Sequence, residues 1–480
     1  MHWIDLTIIA IYLCLIFSVG ILMHKRIDSF SNFMIADQKL SLSLGVTSML
    51  GTELGLITVM YNAQTGANDY FSAFHIGLMG FIVTLVVGLS GFVVVKLREM
   101  NVKSIPEYYQ KRFGAKTRLI GSLLLVIGGM LNMGIFLNIG AKFIQGIFGF
   151  DANDHVLKLI MVVLLIMVLI YTMLGGMLSV IITDYFQFVV LSLGLIFCVF
   201  YSIWFLGWNN IFNSIENISK QPYNPLLSKG SSYVVWQIIL AFVSAVVWPT
   251  AITRALTMKN SDVVKKQYIW SSISFLIRFM IPCFIGICAV IHFNAISETD
   301  KLTLMPRYLA DILPIGLLGL VTAGMLSAFM STHDSYLLCW STIITNDIIE
   351  PLVKKDLSSK TKINISRFII VLLGLYILYW GLFYKGTDSI WTYLGITGAI
   401  YFSGAITVLI AGLYWEKASK TGAILALIGG LSALLGLEPI RIFFQINFLE
   451  AEQIGLLSLA ITVFMMILGS IVFPDKEIVK

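Results

Sequence analysis

The feature that most constrains this chain is a series of apolar blocks, each about as long as a bilayer is thick. The hydrocarbon core of a membrane measures about 30 Å and takes roughly 20 mostly apolar helical residues to cross. Thirteen stretches reach that length, near residues 4–23, 42–62, 73–96, 119–148, 156–176, 180–206, 233–252, 267–293, 313–346, 366–384, 389–414, 420–437 and 453–473. The expected class is therefore an all-α polytopic membrane protein. Charge supports this, because only 12% of the 480 residues are charged and mean hydropathy is +0.89. A soluble domain carries roughly 25%. So little charge cannot cover the chain in water, which excludes a soluble enzyme, a fibrous protein and a disordered chain.

Loop charge sets the orientation. With the N-terminus outside, cytoplasmic segments hold 23 of the 32 Lys and Arg residues and external segments hold 8, the asymmetry that the positive-inside rule requires. Residues 96–118 alone contribute seven. The first apolar block has its basic cluster after it, at Lys25 and Arg26, the reverse of a secretory signal, so it reads as a retained span. Basic residues are spread over many loops, which argues against a nucleic-acid groove. The five cysteines (Cys14, Cys198, Cys283, Cys288, Cys339) lie in apolar stretches with no CxxC pair, so neither a disulfide framework nor a zinc site is expected. No separate soluble domain is expected. Residues 104–109 read as a short interfacial helix with Pro106 in its first turn, and residues 304–312 as a segment lying along the outer surface.

Four charged side chains are read as lying inside the spans, away from their ends: Glu53, Asp184, Arg278 and Asp334. Burying an ion in hydrocarbon is costly, so such residues face a bundle interior or a water-filled path and mark function, or they form an ion pair that fixes packing. Glu53 lies in Gly51-Thr52-Glu53-Leu54-Gly55. Two glycines and a β-branched residue weaken a helix there. A break at the bilayer midplane frees carbonyls for a hard cation, while close helix packing is the competing use of glycine. In the span near 313–346, Ser327, Ser331, Asp334 and Ser335 follow three- and four-residue steps, with Thr332 and the Ala328 carbonyl close by. Such an oxygen-rich face suits a hard cation, although single hydroxyls in membrane helices often bond back to the i−4 carbonyl. Asp184 is about one turn into its span, nearer the cytoplasm, and is expected to approach Asp334 and Ser335. Two carboxylates in one dry site repel unless a cation or proton sits between them.

Taken in order, these segments resemble the sodium:solute symporter family over about residues 40–421. The resemblance rests on Gly51-Thr52-Glu53-Leu54-Gly55, on Tyr171-Thr172 with Gly175-Gly176 followed by Thr183-Asp184 and Gln187, and on Pro249 with Arg254. It continues through Leu313-Pro314 with Gly316, Met330-Ser331-Thr332 with Asp334-Ser335, Thr345-Asn346-Asp347-Ile348, Gly412-Leu413-Tyr414-Trp415 and Thr421-Gly422-Ala423. It implies a LeuT-type core of two inverted five-helix repeats over residues 42–206 and 207–414. An extra helix and linker precede them (1–41), and peripheral helices follow (415–480). It implies a sodium site made by the carbonyls of Gly51, Leu54 and Ala328 and the hydroxyls of Ser331 and Thr332. A second cation site, found in some members, would draw on Asp184, Ser331, Asp334 and Ser335. Glu53, Trp248 and Arg278 are expected beside the solute. Arg278, four residues before Pro282, stands where sugar-carrying members have Lys, and its planar fork suits a carboxylate; pairing with Glu53 is the competing reading.

The expected function is sodium-driven import of a small polar solute, such as a sugar, sugar acid or amino acid, by alternating access, with Na+ as the coupling ion. The setting is the cytoplasmic (inner) membrane, N-terminus outside and C-terminus cytoplasmic, and the chain functions as a monomer. A membrane-embedded enzyme is not expected, since the six histidines supply no nucleophile, base or metal triad. A solute-gated sensor or channel on the same scaffold is the alternative.

Overall fold

The computed structural model describes residues 1–24, 29–35, 38, 40–150, 154–174, 177–295, 301–353, 356–384 and 389–475. Helices fall within every one of the apolar blocks, and among the described residues there is no strand. Eight runs are long and apolar enough to cross a membrane by length and composition. The expected Gly175-Gly176 turn lies outside the described residues, between helices Asp154–Leu174 and Met177–Leu206. The short helix Ile105–Phe113 forms as read: Ser104 Oγ caps the Glu107 N–H at 3.1 Å, and Pro106 occupies the first turn, where its missing N–H costs nothing.

Two helices are discontinuous, for different local reasons. The first runs Leu42–Glu53, leaves helical geometry at Leu54 (φ −97°, ψ 62°) and at extended Gly55 (φ −89°, ψ 170°), and resumes over Leu56–Asp69. The second, Ser231–Val246, stops before Pro249. The residue preceding a proline is pushed out of the helical region, and Trp248 is extended (φ −63°, ψ 127°); helix then restarts over Pro249–Leu256. The two broken helices are tied together. Leu40, just ahead of the first, donates its N–H to Thr257 O at 3.0 Å and accepts from the Lys259 N–H at 3.2 Å, just beyond the second.

Helix Leu317–Ile343 forms the centre of the bundle, and only Leu317, Leu320 and Tyr336 in it are not fully buried. Its start is anchored by Asp5, whose Oδ1 accepts from the Gly316 and Gly319 N–H groups at 2.7 and 2.9 Å, an acid satisfying otherwise unpaired donors at a helix N-terminus. Helix Met177–Leu206 packs against it and shows how burial is patterned in a membrane. Asp184, Gln187, Leu191, Leu195, Cys198 and Ser202 form a buried stripe at helical spacing. Phe186, Leu193, Phe197, Phe200 and Trp204 are exposed on the remainder of the helix, an apolar face suited to lipid. Between helices Leu56–Asp69 and Ser261–Phe293 contact depends on small residues. A Cβ at Gly286 would stand 2.0 Å from the Ala63 carbonyl, and one at Gly66 2.2 Å from that of Cys283, the close approach by which membrane helices gain packing energy.

Candidate functional site

The break in the first helix lies against the hydroxyl face of Leu317–Ile343. A Cβ on Gly55 would sit 1.8 Å from Thr332 Oγ1 and 3.5 Å from the Ala328 carbonyl oxygen, so only glycine admits this approach. The first backbone bond beyond the break runs from the Val59 N–H to Gly55 O, at 3.0 Å. Among the described residues no backbone bond crosses the break to the Gly51 or Leu54 carbonyl. Thr332 Oγ1 donates to Ala328 O at 3.0 Å, the back-bond common in membrane helices. Thus Gly55, next in the chain after Leu54, meets Ala328 and Thr332. Gly51 lies one turn earlier, where a Cβ would be 2.8 Å from Asp184 O, and Ser331 donates to Asp184 Oδ1.

Asp184 is fully buried and heavily bonded. Its Oδ2 accepts from Ser48 Oγ at 3.0 Å and Thr52 Oγ1 at 3.2 Å, and pairs with Arg254 Nη2 at 3.4 Å. The same nitrogen donates to Thr52 Oγ1 and to Ser335 Oγ, both at 2.8 Å. This changes the expected picture in two respects. The positive charge beside Asp184 is a guanidinium of the protein itself, and Ser335 meets Asp184 through it. Asp334 instead turns to another helix, with Oδ1 accepting from Thr172 Oγ1 at 2.5 Å. Asp184, Ser331, Asp334 and Ser335 are all buried; Asp184, Ser331 and Ser335 share one hydrogen-bond network, while Asp334 bonds to Thr172. The count of four in-span charges also needs correction: Arg254, read as a loop residue beyond residue 252, is 1% exposed.

Glu53 and Arg278 meet on a cavity wall. Arg278 Nη1 lies 2.5 Å from Glu53 Oε2 and 3.3 Å from the Glu53 carbonyl, which the break has freed. Of the two readings offered for Arg278, pairing with Glu53 is the arrangement found. The guanidinium also stacks on Phe275, 3.8 Å from the ring centre. Pro282 contributes to the positioning: lacking an N–H, it cannot bond the carbonyl four residues back, and Arg278 O accepts from Asn62 Nδ2 at 3.2 Å. The cavity, of about 110 Å³, is lined by Glu53, Arg278 and the aromatic faces of Tyr61, Trp248, Tyr336 and Trp391. Trp248 donates its indole N–H to Tyr336 OH at 3.0 Å. Trp391 also lines a polar cavity of about 520 Å³, beside the Asp69–Lys229 ion pair at 2.6 Å.

Sequence reasoning passed over Ser48, Thr52, Thr172 and Arg254. Each has a signal in the sequence. Thr172 and Arg254 stand inside motifs quoted for the family resemblance, and Ser48 and Thr52 are one four-residue step apart, hence on one helix face. Of the aromatic wall the resemblance implied only Trp248; Tyr61, Tyr336 and Trp391 come from three helices distant in sequence.

Unwound backbone at membrane depth survives only where it lines a cavity or lies buried in protein, and secondary transporters place solute and ion at such breaks. The fold and site define that class. Residues 43–430 match the model of the sodium:solute symporter family, and the chain belongs to that family; it is a sodium-coupled symporter of small solutes. It is 25% identical to the sodium/sialic acid symporter of Aliivibrio fischeri over 94% of this chain and 90% of that one. It is also 25% identical to sodium/proline symporter 2 of Staphylococcus saprophyticus, over 93% and 88%. The human sodium/myo-inositol cotransporter is 24% identical over 94% of this chain and 68% of its own length. Among solved structures, a substrate-bound, outward-open Na+-coupled sialic acid symporter superposes with a TM-score of 0.81 at 18% identity, covering 99% of this chain and 100% of that one. MhsT in complex with L-phenylalanine gives 0.59 at 15%, covering 90% and 98%. These likenesses establish the LeuT-like fold.

Proposed function

We propose that the chain imports a small polar organic solute across the cytoplasmic membrane, with thirteen crossings, the N-terminus outside, the C-terminus inside and the monomer as the working unit. Residues 42–206 and 207–414 act as the two repeats that rock about the site. Sodium binds at the break, on the carbonyls of Gly51, Leu54 and Ala328 and the hydroxyls of Ser331 and Thr332. The observation that carries this reading is the contact of Gly55 with Thr332 and Ala328, which sets the unwound stretch against a hydroxyl and a carbonyl of the facing helix. All the donors are oxygen, as a hard cation prefers.

The solute occupies the cavity beside Glu53, Trp248 and Arg278. The two charges there neutralise each other, which favours a neutral polyol or a zwitterion over a net ion, and the aromatic faces of Tyr61 and Trp391 suit the apolar faces of a sugar ring or side chain. Sodium, by bridging the break, fixes the backbone that carries Glu53. Linkage then requires that solute raise sodium affinity by the same factor by which sodium raises solute affinity. Each charge moved inward gains about 2.3 kcal/mol per 100 mV of membrane potential.

The test is uptake into proteoliposomes with and without a sodium gradient, across a panel of sugars, sugar acids and amino acids. Ser331→Ala combined with Thr332→Ala abolishes sodium-driven uptake while the protein stays in the membrane. Undiminished uptake in that double variant would refute the sodium site.

A further inference from the structure

We propose that Arg254 is the built-in occupant of the second cation position, so that this transporter binds a single sodium ion. The inference rests on the main-site reading above only in taking sodium as the coupling ion.

The three oxygens around Arg254 Nη2 have the geometry of one face of a cation site. Thr52 Oγ1 stands 3.2 Å from Asp184 Oδ2 and 3.4 Å from Ser335 Oγ. A hard cation with oxygen ligands at about 2.3–2.6 Å in right-angled positions spaces neighbouring ligands about 3.3–3.7 Å apart. In place of an ion at that apex is the guanidinium nitrogen, 2.8 Å from Thr52 Oγ1, 2.8 Å from Ser335 Oγ and 3.4 Å from Asp184 Oδ2. The remaining Asp184 oxygen is taken by Ser331.

Charge and tethering point the same way. One carboxylate and one guanidinium balance, and the fork of an arginine suits a buried ion pair. A sodium ion entering the triangle would set two cations on one carboxylate, or would expel an arginine that is 1% exposed and strand its charge without a partner. The arginine also competes from a fixed position: it is part of helix Pro249–Leu256, which the Leu40–Met258 bridge holds beside the first broken helix. A tethered ligand faces its site at an effective concentration that a free ion must exceed. Asp334, the other acid named for such a site, is not among the three oxygens around Arg254 Nη2, and its Oδ1 accepts from Thr172.

Equilibrium binding of radioactive sodium to the purified full chain, without solute, tests the proposal. The native protein binds one ion per chain along a hyperbolic curve. Arg254→Met leaves Asp184 uncompensated and binds two, Arg254→Lys keeps the charge and binds one, and Arg254→Met with Asp184→Asn returns to one. Two ions on the native chain would overturn the proposal, a result that depends on no variant folding. So would one ion on Arg254→Met when the main-site ion is retained, since that ion shows the fold is intact. Thr332→Ala reports the main site separately: if it keeps the native ion, the main-site reading fails, and the step from one ion to two at residue 254 still stands or falls by itself.

Discussion

Two arginines reach neighbouring residues of the same broken helix, and they are held very differently. Arg254 touches its carboxylate only at 3.4 Å and is shared among hydroxyls, with side-chain exposures of 1% for the arginine and 0% for Asp184. Arg278 makes a direct contact of 2.5 Å, with exposures of 7% and 17% for it and Glu53. The first pair is sealed in the bundle, where one partner removed leaves a buried charge without its counter-ion. The second lines a cavity and leans on the face of Phe275, so water, a solute or the ring can take up part of a loss. Burial, more than contact distance, decides how much each pair matters to folding, whereas access to the cavity decides which of them a solute can address.

That contrast orders the expected mutational effects. Asp184→Asn is the most damaging, because it strands Arg254 in a dry site; breaking a buried pair costs about 3–5 kcal/mol, measured as a fall in the thermal midpoint of the detergent-purified protein. Glu53→Gln costs about 1–2 kcal/mol, since a hydrogen bond to the amide oxygen and stacking on Phe275 remain. Its main effect is on solute uptake, roughly a tenfold loss. Equal thermal destabilisation by the two variants would break the comparison. Arg278→Lys keeps the charge but gives up the planar stack and the fork, for about 1 kcal/mol. Solute affinity falls about fivefold in a thermal-shift titration, while sodium binding is unchanged. Smallest is Trp248→Phe, which loses the N–H bond to Tyr336 OH, about 0.5–1 kcal/mol, read as a two- to fivefold rise in the KM of uptake.

The two pairs also differ in how far the sequence reveals them. Glu53 and Arg278 are charges deep inside apolar runs, and a break at Gly51–Gly55 is written into the local residues, so both are visible from composition and spacing. Arg254 stands just past an apolar run, where a basic residue reads as an ordinary cytoplasmic flank. It becomes a buried partner because Pro249 restarts a helix that folds residue 254 back towards Thr52. Asp334 shows the converse. It lies one residue from Ser335, yet adjacent residues of a helix point about 100° apart. That rotation separates a group facing Arg254 from one facing Thr172, and no spacing rule tells which neighbour occupies each side.

What the sequence alone determined is whatever depends on local chemistry and solvent. Apolar length requires a membrane bundle, loop charge gives the expected orientation, proline and glycine interrupt two helices, and a face of hydroxyls offers oxygen to a hard cation. Tertiary structure decided which of those groups meet. It closed Gly55 on Thr332, set Arg254 at the apex of three oxygens, paired Arg278 with Glu53 and gathered four aromatic rings into one wall. The physical reason is that polar groups in lipid must find partners inside the protein, and a partner is chosen by how helices distant in sequence pack, which no single segment contains.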